Sequence, residues 1–164
     1  MSLRKRDIVI CGVLLSLIGA AARAEKEPLS PRQLRETATH VVVAKVEQVF
    51  ARQEKVNNYE YTRYVAEVRV DKLEKGDGYK PGDLMYLRYW TKRWLGPGLP
   101  EPGTNGHSGR PTAGQTLRIY AARNAYDGFG HTKDGGLNVI GANGFEAIEE
   151  KPNDAKPSDE KSSK

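Results

Sequence analysis

Cysteine is nearly absent. Cys11 is the only one in 164 residues, and it lies in an apolar N-terminal run. The chain beyond that run therefore has no disulfide, no thiol nucleophile and no cysteine metal site. Large apolar side chains are scarce, with three Phe, two Trp and two Met. The one extended apolar stretch, residues 8–22, makes about 22 Å of helix. A bilayer presents roughly 30 Å of hydrocarbon, so the stretch is too short to span it. A G-x-S-x-G nucleophile turn is missing, and so is the Gly-Lys-Ser/Thr ending of a phosphate loop. No cofactor motif is present.

What the N-terminus does have is an export signal. Arg4, Lys5 and Arg6 precede the apolar run, and Ala20, Ala22 and Ala24 follow it. Basic segment, short apolar segment and A-x-A sites together read as a secretory signal over residues 1–24, cut after Ala22 or Ala24. Cys11 lies inside the apolar segment with no small residue before it, which disfavours a lipoprotein signal. Residues 1–24 carry four bases (Arg4, Lys5, Arg6, Arg23) and one acid (Asp7), so cleavage lowers the net charge from +5 to +2. The basic whole-chain balance is thus no argument for nucleic acid. The expected location is secreted or periplasmic, with no membrane attachment after cleavage.

Residues 25–148 read as one β domain. Ser30-Pro31-Arg32-Gln33 is a helix start, with Ser30 as N-cap, Pro31 at the first helical position and Gln33 closing a capping box. The helix is expected to reach about residue 38 and to bury little beyond Leu34. Strands are expected over residues 40–50, 61–73, 84–91 and 116–123. Tyr64, Ala66, Val68 and Val70 should share one face, as should Met85, Leu87 and Tyr89, and Leu117, Ile119 and Ala121. Residues 51–58 read as a polar connection. Residues 94–114 are too rich in glycine and proline for helix or central strand. Residues 137–142 and 145–148 flank Asn143-Gly144, which predicts a hairpin with positive φ at both turn residues. Residues 149–164, without an aliphatic side chain larger than Ala155, predict a disordered polar tail. The count predicts an all-β fold, a small five- to six-stranded partly open barrel of the OB kind; a β-sandwich, which usually needs about seven strands, is the alternative.

The run Val41-Val42-Val43-Ala44-Lys45-Val46, the segment from Tyr64 through Lys75-Gly76, Pro81-Gly82-Asp83, Gly114-Gln115, and Asp134-Gly135-Gly136 through Asn143-Gly144-Phe145-Glu146 form a familiar order. Over residues 38–148 the chain resembles small exported bacterial proteins whose OB-like barrel is similar to the netrin and metalloproteinase-inhibitor fold. The resemblance implies a fold more than an activity. Animal inhibitors of that fold reach a metal through an N-terminal cysteine, which is missing here after cleavage, so that activity is not implied.

Candidate chemistry is sparse. His40 opens a strand while His107 and His131 fall in different loops, so their spacing predicts separate packing or surface histidines and no metal site. Residues 127–138 resemble a calcium loop only superficially, because Phe129, Thr132 and Asn138 stand where an acid, a Gly and a Glu belong. Ser108 beside His107 is a neighbour pair, not a triad. The most suggestive cluster is Arg88, Trp90, Lys92, Arg93 and Trp94, basic residues interleaved with aromatics. Such a pattern suits stacking and charge on a polymer. The same tryptophans could instead cap the barrel end, with Tyr89 on the core face. The expected function is a non-enzymatic binding or interaction module of the cell envelope. Its partner would be an envelope protein or an anionic or saccharide polymer, not nucleic acid. A small hydrolase using His107, Ser108 and His131 is the alternative.

The exported protein is expected to begin at or just before Glu25. Intact-mass measurement and N-terminal sequencing of protein recovered outside the cytoplasm check this, and an uncut Met1 there would refute it.

Overall fold

The computed structural model describes residues 28–100, 106–126 and 130–148; the signal expected over residues 1–24 and the polar tail expected over 149–164 lie outside them. Helix α1, Pro31–Thr37, starts as its sequence requires. The Ser30 side chain accepts from the Gln33 N–H, and the Gln33 side chain accepts from the Ser30 N–H. Seven residues are too few for independent stability. The helix holds through Leu34, which packs with Val41, Tyr120, Ala122 and Ile140 on the outside of the sheet. Lys75 Nζ donates to the carbonyls of Arg35 and Glu36, a cation placed at the helix C-terminus.

Strands β1 (His40–Val56) and β2 (Tyr59–Lys75) form a hairpin of 17 residues per arm around Asn57-Asn58, with Asn57 at φ 53°. Residues 51–56 are thus strand, not a polar connection. Their polarity has another cause: the hairpin tip extends past the core, so residues 50–55 are exposed. Strand β3 (Leu84–Trp94) continues the meander on β2. Strand β4 (Thr116–Arg123) pairs with β1 from Lys45↔Thr116 to His40↔Ala121. Strand β5 (Leu137–Val139) pairs antiparallel with β4 and parallel with β3. The five strands close a ring in the order β1-β2-β3-β5-β4-β1. One sheet closed on itself replaces the two layers of a sandwich, although its pairing is too uneven for a regular barrel.

The inward faces follow the period of two. Val42, Ala44 and Val46 meet Ala66, Val68 and Val70, and Met85, Leu87 and Tyr89 meet Leu117, Ile119 and Ala121. On the outside, an ion network ties four elements. Glu74 of β2 receives Arg118 of β4 through two hydrogen bonds and Arg35 of α1 through a third. Arg118 also reaches Glu146, which accepts from the Tyr120 hydroxyl. The Arg118 hydrogen bonds hold the Glu74 carboxyl below its ordinary range, against the opposing effect of burial.

Asn143-Gly144 does not make a hairpin. Strand β6 (Phe145–Ala147) runs antiparallel to β4, as β5 does, so the chain keeps its direction. Val139 lies opposite Ala121 and Phe145 opposite Ile119, leaving residues 140–144 against Tyr120. Tyr120 closes this oversized bulge by accepting from Ile140 N–H and donating to the Gly144 carbonyl, both at 3.0 Å. The positive φ belongs to Gly141, at 67°. Gly144 is required by contact instead: a Cβ there would strike the Ile140 carbonyl oxygen and lie 2.6 Å from Val139 Cγ1. Asn143 donates to the Leu29 carbonyl at 2.8 Å, tethering the segment before α1.

Gly144→Asn is expected to destabilise by about 1–3 kcal/mol through overpacking. An Asn would be tolerated if the position merely needed a left-handed backbone. Denaturant unfolding decides, and a parent-like midpoint for Gly144→Asn would contradict the contact argument.

Candidate binding face on strands β2 and β3

The alternation of β3 sorts the five sequence candidates. Arg88, Trp90, Lys92 and Trp94 share the face opposite Met85, Leu87 and Tyr89, outside the ring. Arg93 falls on the other face, where its guanidinium bonds the Glu60 carboxylate at 2.9 Å. The five therefore do not make one surface. Their cross-strand neighbours on β2 complete the outer face: Trp94 lies opposite Tyr59, Lys92 opposite Tyr61 and Trp90 opposite Arg63. Tyr59 and Tyr61 escaped notice because residues 51–58 read as a connection and the strand as starting at residue 61. Once 59–63 is strand, Tyr59, Tyr61 and Arg63 follow on one side by period alone.

The rings form a row. Tyr59 and Trp94 have centroids 4.8 Å apart, Tyr59 and Tyr61 6.3 Å, and Tyr61 and Trp90 6.2 Å. Tyr126, from the loop between β4 and β5, meets Trp90 edge-on at 5.9 Å and is 46% exposed. Lys92 Nζ stands 4.6 Å from the Tyr59 ring centroid, a cation–π contact. Trp94 is oriented by its indole N–H, which donates to the Gly98 carbonyl at 3.2 Å. Trp90 has a different role. It is buried on the outer face, packed between Tyr61, Tyr126 and His107. Arg88 is also committed, bonding Asp134 at 2.7 Å. The Gly136 N–H and then Arg88 hold the Asp134 carboxyl below its ordinary value.

A cleft of about 290 Å³ opens beside Trp90, lined by Tyr126, His107, His131, Leu29 and Ile140 among others. Across the sheet, on the inner side of the hairpin tip, a polar trough of about 570 Å³ is lined by Gln53, Thr62, Thr91, Arg93 and Arg110 among others.

The histidines occupy different structural positions. His40 is buried at the start of β1, its ring nitrogens on Thr39 Oγ1 and the Asp77 carbonyl. His131 reaches the Asn124 carbonyl at 3.3 Å. His107 replaces a strand partner. Where β5 leaves β3, the His107 N–H donates to the Trp90 carbonyl at 2.9 Å. Its Nε2–H donates to the Val139 carbonyl at 2.9 Å, which leaves Nδ1 to accept from the Trp90 N–H at 3.3 Å. The next residue, Ser108, donates its hydroxyl to the Ala142 carbonyl at 2.7 Å. His107 and Ser108 are thus both turned to backbone rather than to each other. Among the described residues, no three His, Cys, Asp or Glu side chains are grouped to hold a metal.

The chain matches no protein-family model, no curated protein and no solved structure.

Burial holds the His107 ring below its ordinary pKa, outweighing the raising effect of the Val139 carbonyl and of the Trp90 carbonyl, which lies 3.1 Å from Nδ1. Burial lowers His40 in the same direction. The folded state keeps both rings neutral, while the unfolded chain protonates them near pH 6.5. Their contribution is complete above that pH and is lost as pH falls toward the lower folded values. Unfolding free energy should therefore drop from about pH 7 to pH 5. His107→Asn should show a smaller drop in denaturation series at stepped pH. Equal drops in parent and variant would remove His107 as a source.

Proposed function

We propose that this is an exported envelope protein whose outer β2–β3 face binds an anionic saccharide polymer without chemical turnover. The observation that carries the reading is the row Trp94–Tyr59–Tyr61 with Lys92 set into it. Aromatic faces present negative charge density that suits the C–H faces of sugar rings. A neighbouring ammonium answers carboxylate or sulfate groups along a polymer. Strands 2 and 3, with the flanking loops, are where OB-type rings bind extended ligands, and Tyr126 comes from the loop after β4. The backbone commitments of His107 and Ser108 favour binding over hydrolysis.

Native affinity electrophoresis tests the proposal. Purified protein should be retarded in gels containing polygalacturonate and much less in gels containing dextran. Trp94→Ala and Tyr59→Ala should each reduce the retardation several-fold, about 1 kcal/mol for each ring lost. Absence of retardation by polygalacturonate, or retention unaffected by both substitutions, would overturn it.

A further inference from the structure

The ring leaves one long strand edge open. Strand β4 covers β1 from His40 to Lys45, and Gly114 and Gln115 bond the peptide groups of Val46. From Gln48 to Val56, none of the described residues pairs with the side of β1 away from β2. Nine residues make an edge of about 30 Å. Exposed edges are normally blunted by proline, a bulge, a cover or charged side chains. This one contains neither Pro nor Gly, its irregularity, between Val46 and Gln48, comes before it begins, and its charges, Arg52, Glu54 and Lys55, are of both signs.

The side chains on this edge are complementary to themselves. Phe50, Arg52, Glu54 and Val56 share one face of β1. If two copies meet antiparallel about an axis through Gln53, Phe50 lies opposite the second copy's Val56, and Arg52 opposite its Glu54, each twice. Other centres fail. An axis at Arg52 sets arginine against arginine, and one at Glu54 sets acid against acid. The backbone agrees with the same centre. Val56 and Tyr59 flank a two-residue turn and so bond each other, which turns the N–H and C=O of Lys55, Gln53 and Ala51 to the open side. Inside one chain Glu54 has only a long contact with Arg63, at 4.0 Å, and its neighbours are worse placed. Arg52 lies opposite Arg63, like charge against like, and has no ion pair among the described residues. Phe50 is 48% exposed.

We propose that a second copy of this chain pairs on this edge, forming a two-fold dimer through residues 50–56 of β1. The contact is isologous, so it closes on itself and does not propagate. It joins the two hairpins into one continuous sheet and needs no contribution from the saccharide reading.

Sedimentation velocity of the exported chain across a concentration series should show a monomer–dimer equilibrium. Arg52→Glu and Glu54→Arg should each weaken it about tenfold or more, because each sets like charges opposite each other in both symmetric pairs. The double variant Arg52→Glu/Glu54→Arg should restore it. Covalent trapping provides a second measurement, since the exported chain has no cysteine. Gln53→Cys sits on the axis and should cross-link to its own copy under oxidation. Ala51→Cys, which faces Lys55 of the second copy, should not. A parent that stays monomeric throughout, or a double variant no better than the singles, would overturn the dimer. Polymer binding by a monomeric parent would leave the other reading standing.

Discussion

Everything in this fold depends on how β3 is joined to β5. Two parallel pairs, Leu87↔Leu137 and Arg88↔Asn138, are the whole strand-to-strand seam among the described residues. Without it the other four strands are an open, curved sheet whose inner face has nothing to close over. The seam is lengthened by a side chain. His107 bonds both peptide groups of Trp90 and reaches across to Val139, so an imidazole does what another residue or two of strand would do. Gly106 makes the approach feasible, since a Cβ there would meet the Trp90 carbonyl oxygen and lie 2.8 Å from Thr91 Cα.

The ring's strength is distributed unevenly as a result. On the side of β1, β2 and β4, long ladders are backed by the Glu74–Arg118 bonds and by α1. On the seam side the contacts are fewer and depend on a neutral histidine. The aromatic row is attached to the long, well-paired side, on strands with continuous pairing from Tyr59↔Trp94 to Arg69↔Leu84. That is a rigid support for the proposed polymer-binding face. If two copies pair through β1, their outer faces become one six-stranded surface with a row of rings at each end.

Legibility in the sequence followed burial. Strand β4 has the bounds its pattern predicts, because Leu117, Ile119 and Ala121 face the core throughout. The capping box of α1 was equally plain, being local chemistry. The hairpin tip was missed because period two vanishes where neither face is buried, and that error hid Tyr59 and Tyr61. Asn143-Gly144 misled for the opposite reason. The dipeptide has the right local preference, but Tyr120 of β4 offers hydrogen bonds to both ends of the bulge, and that tertiary pairing overrides the turn. Arg93 was grouped with its neighbours by composition, although parity alone puts it on the other face. The role of His107 could not be read at all, because nothing local marks a residue that completes a seam between segments distant in sequence.

The seam also sets an order in time. The β1–β2 hairpin joins residues close along the chain around a two-residue turn, whereas Leu87 and Leu137 must find each other across a loop of about fifty residues. Contacts of long sequence separation are slow to form because their entropy is spent before any pairing repays it. The β1–β4 ladder spans still more chain, 71 residues from Lys45 to Thr116, but it holds six pairs to the seam's two, so of the two long-range closures the seam is the one that should open first. In amide exchange, the peptide hydrogens of Leu137–Val139 would be released by local opening well before those in the middle of β1 and β2.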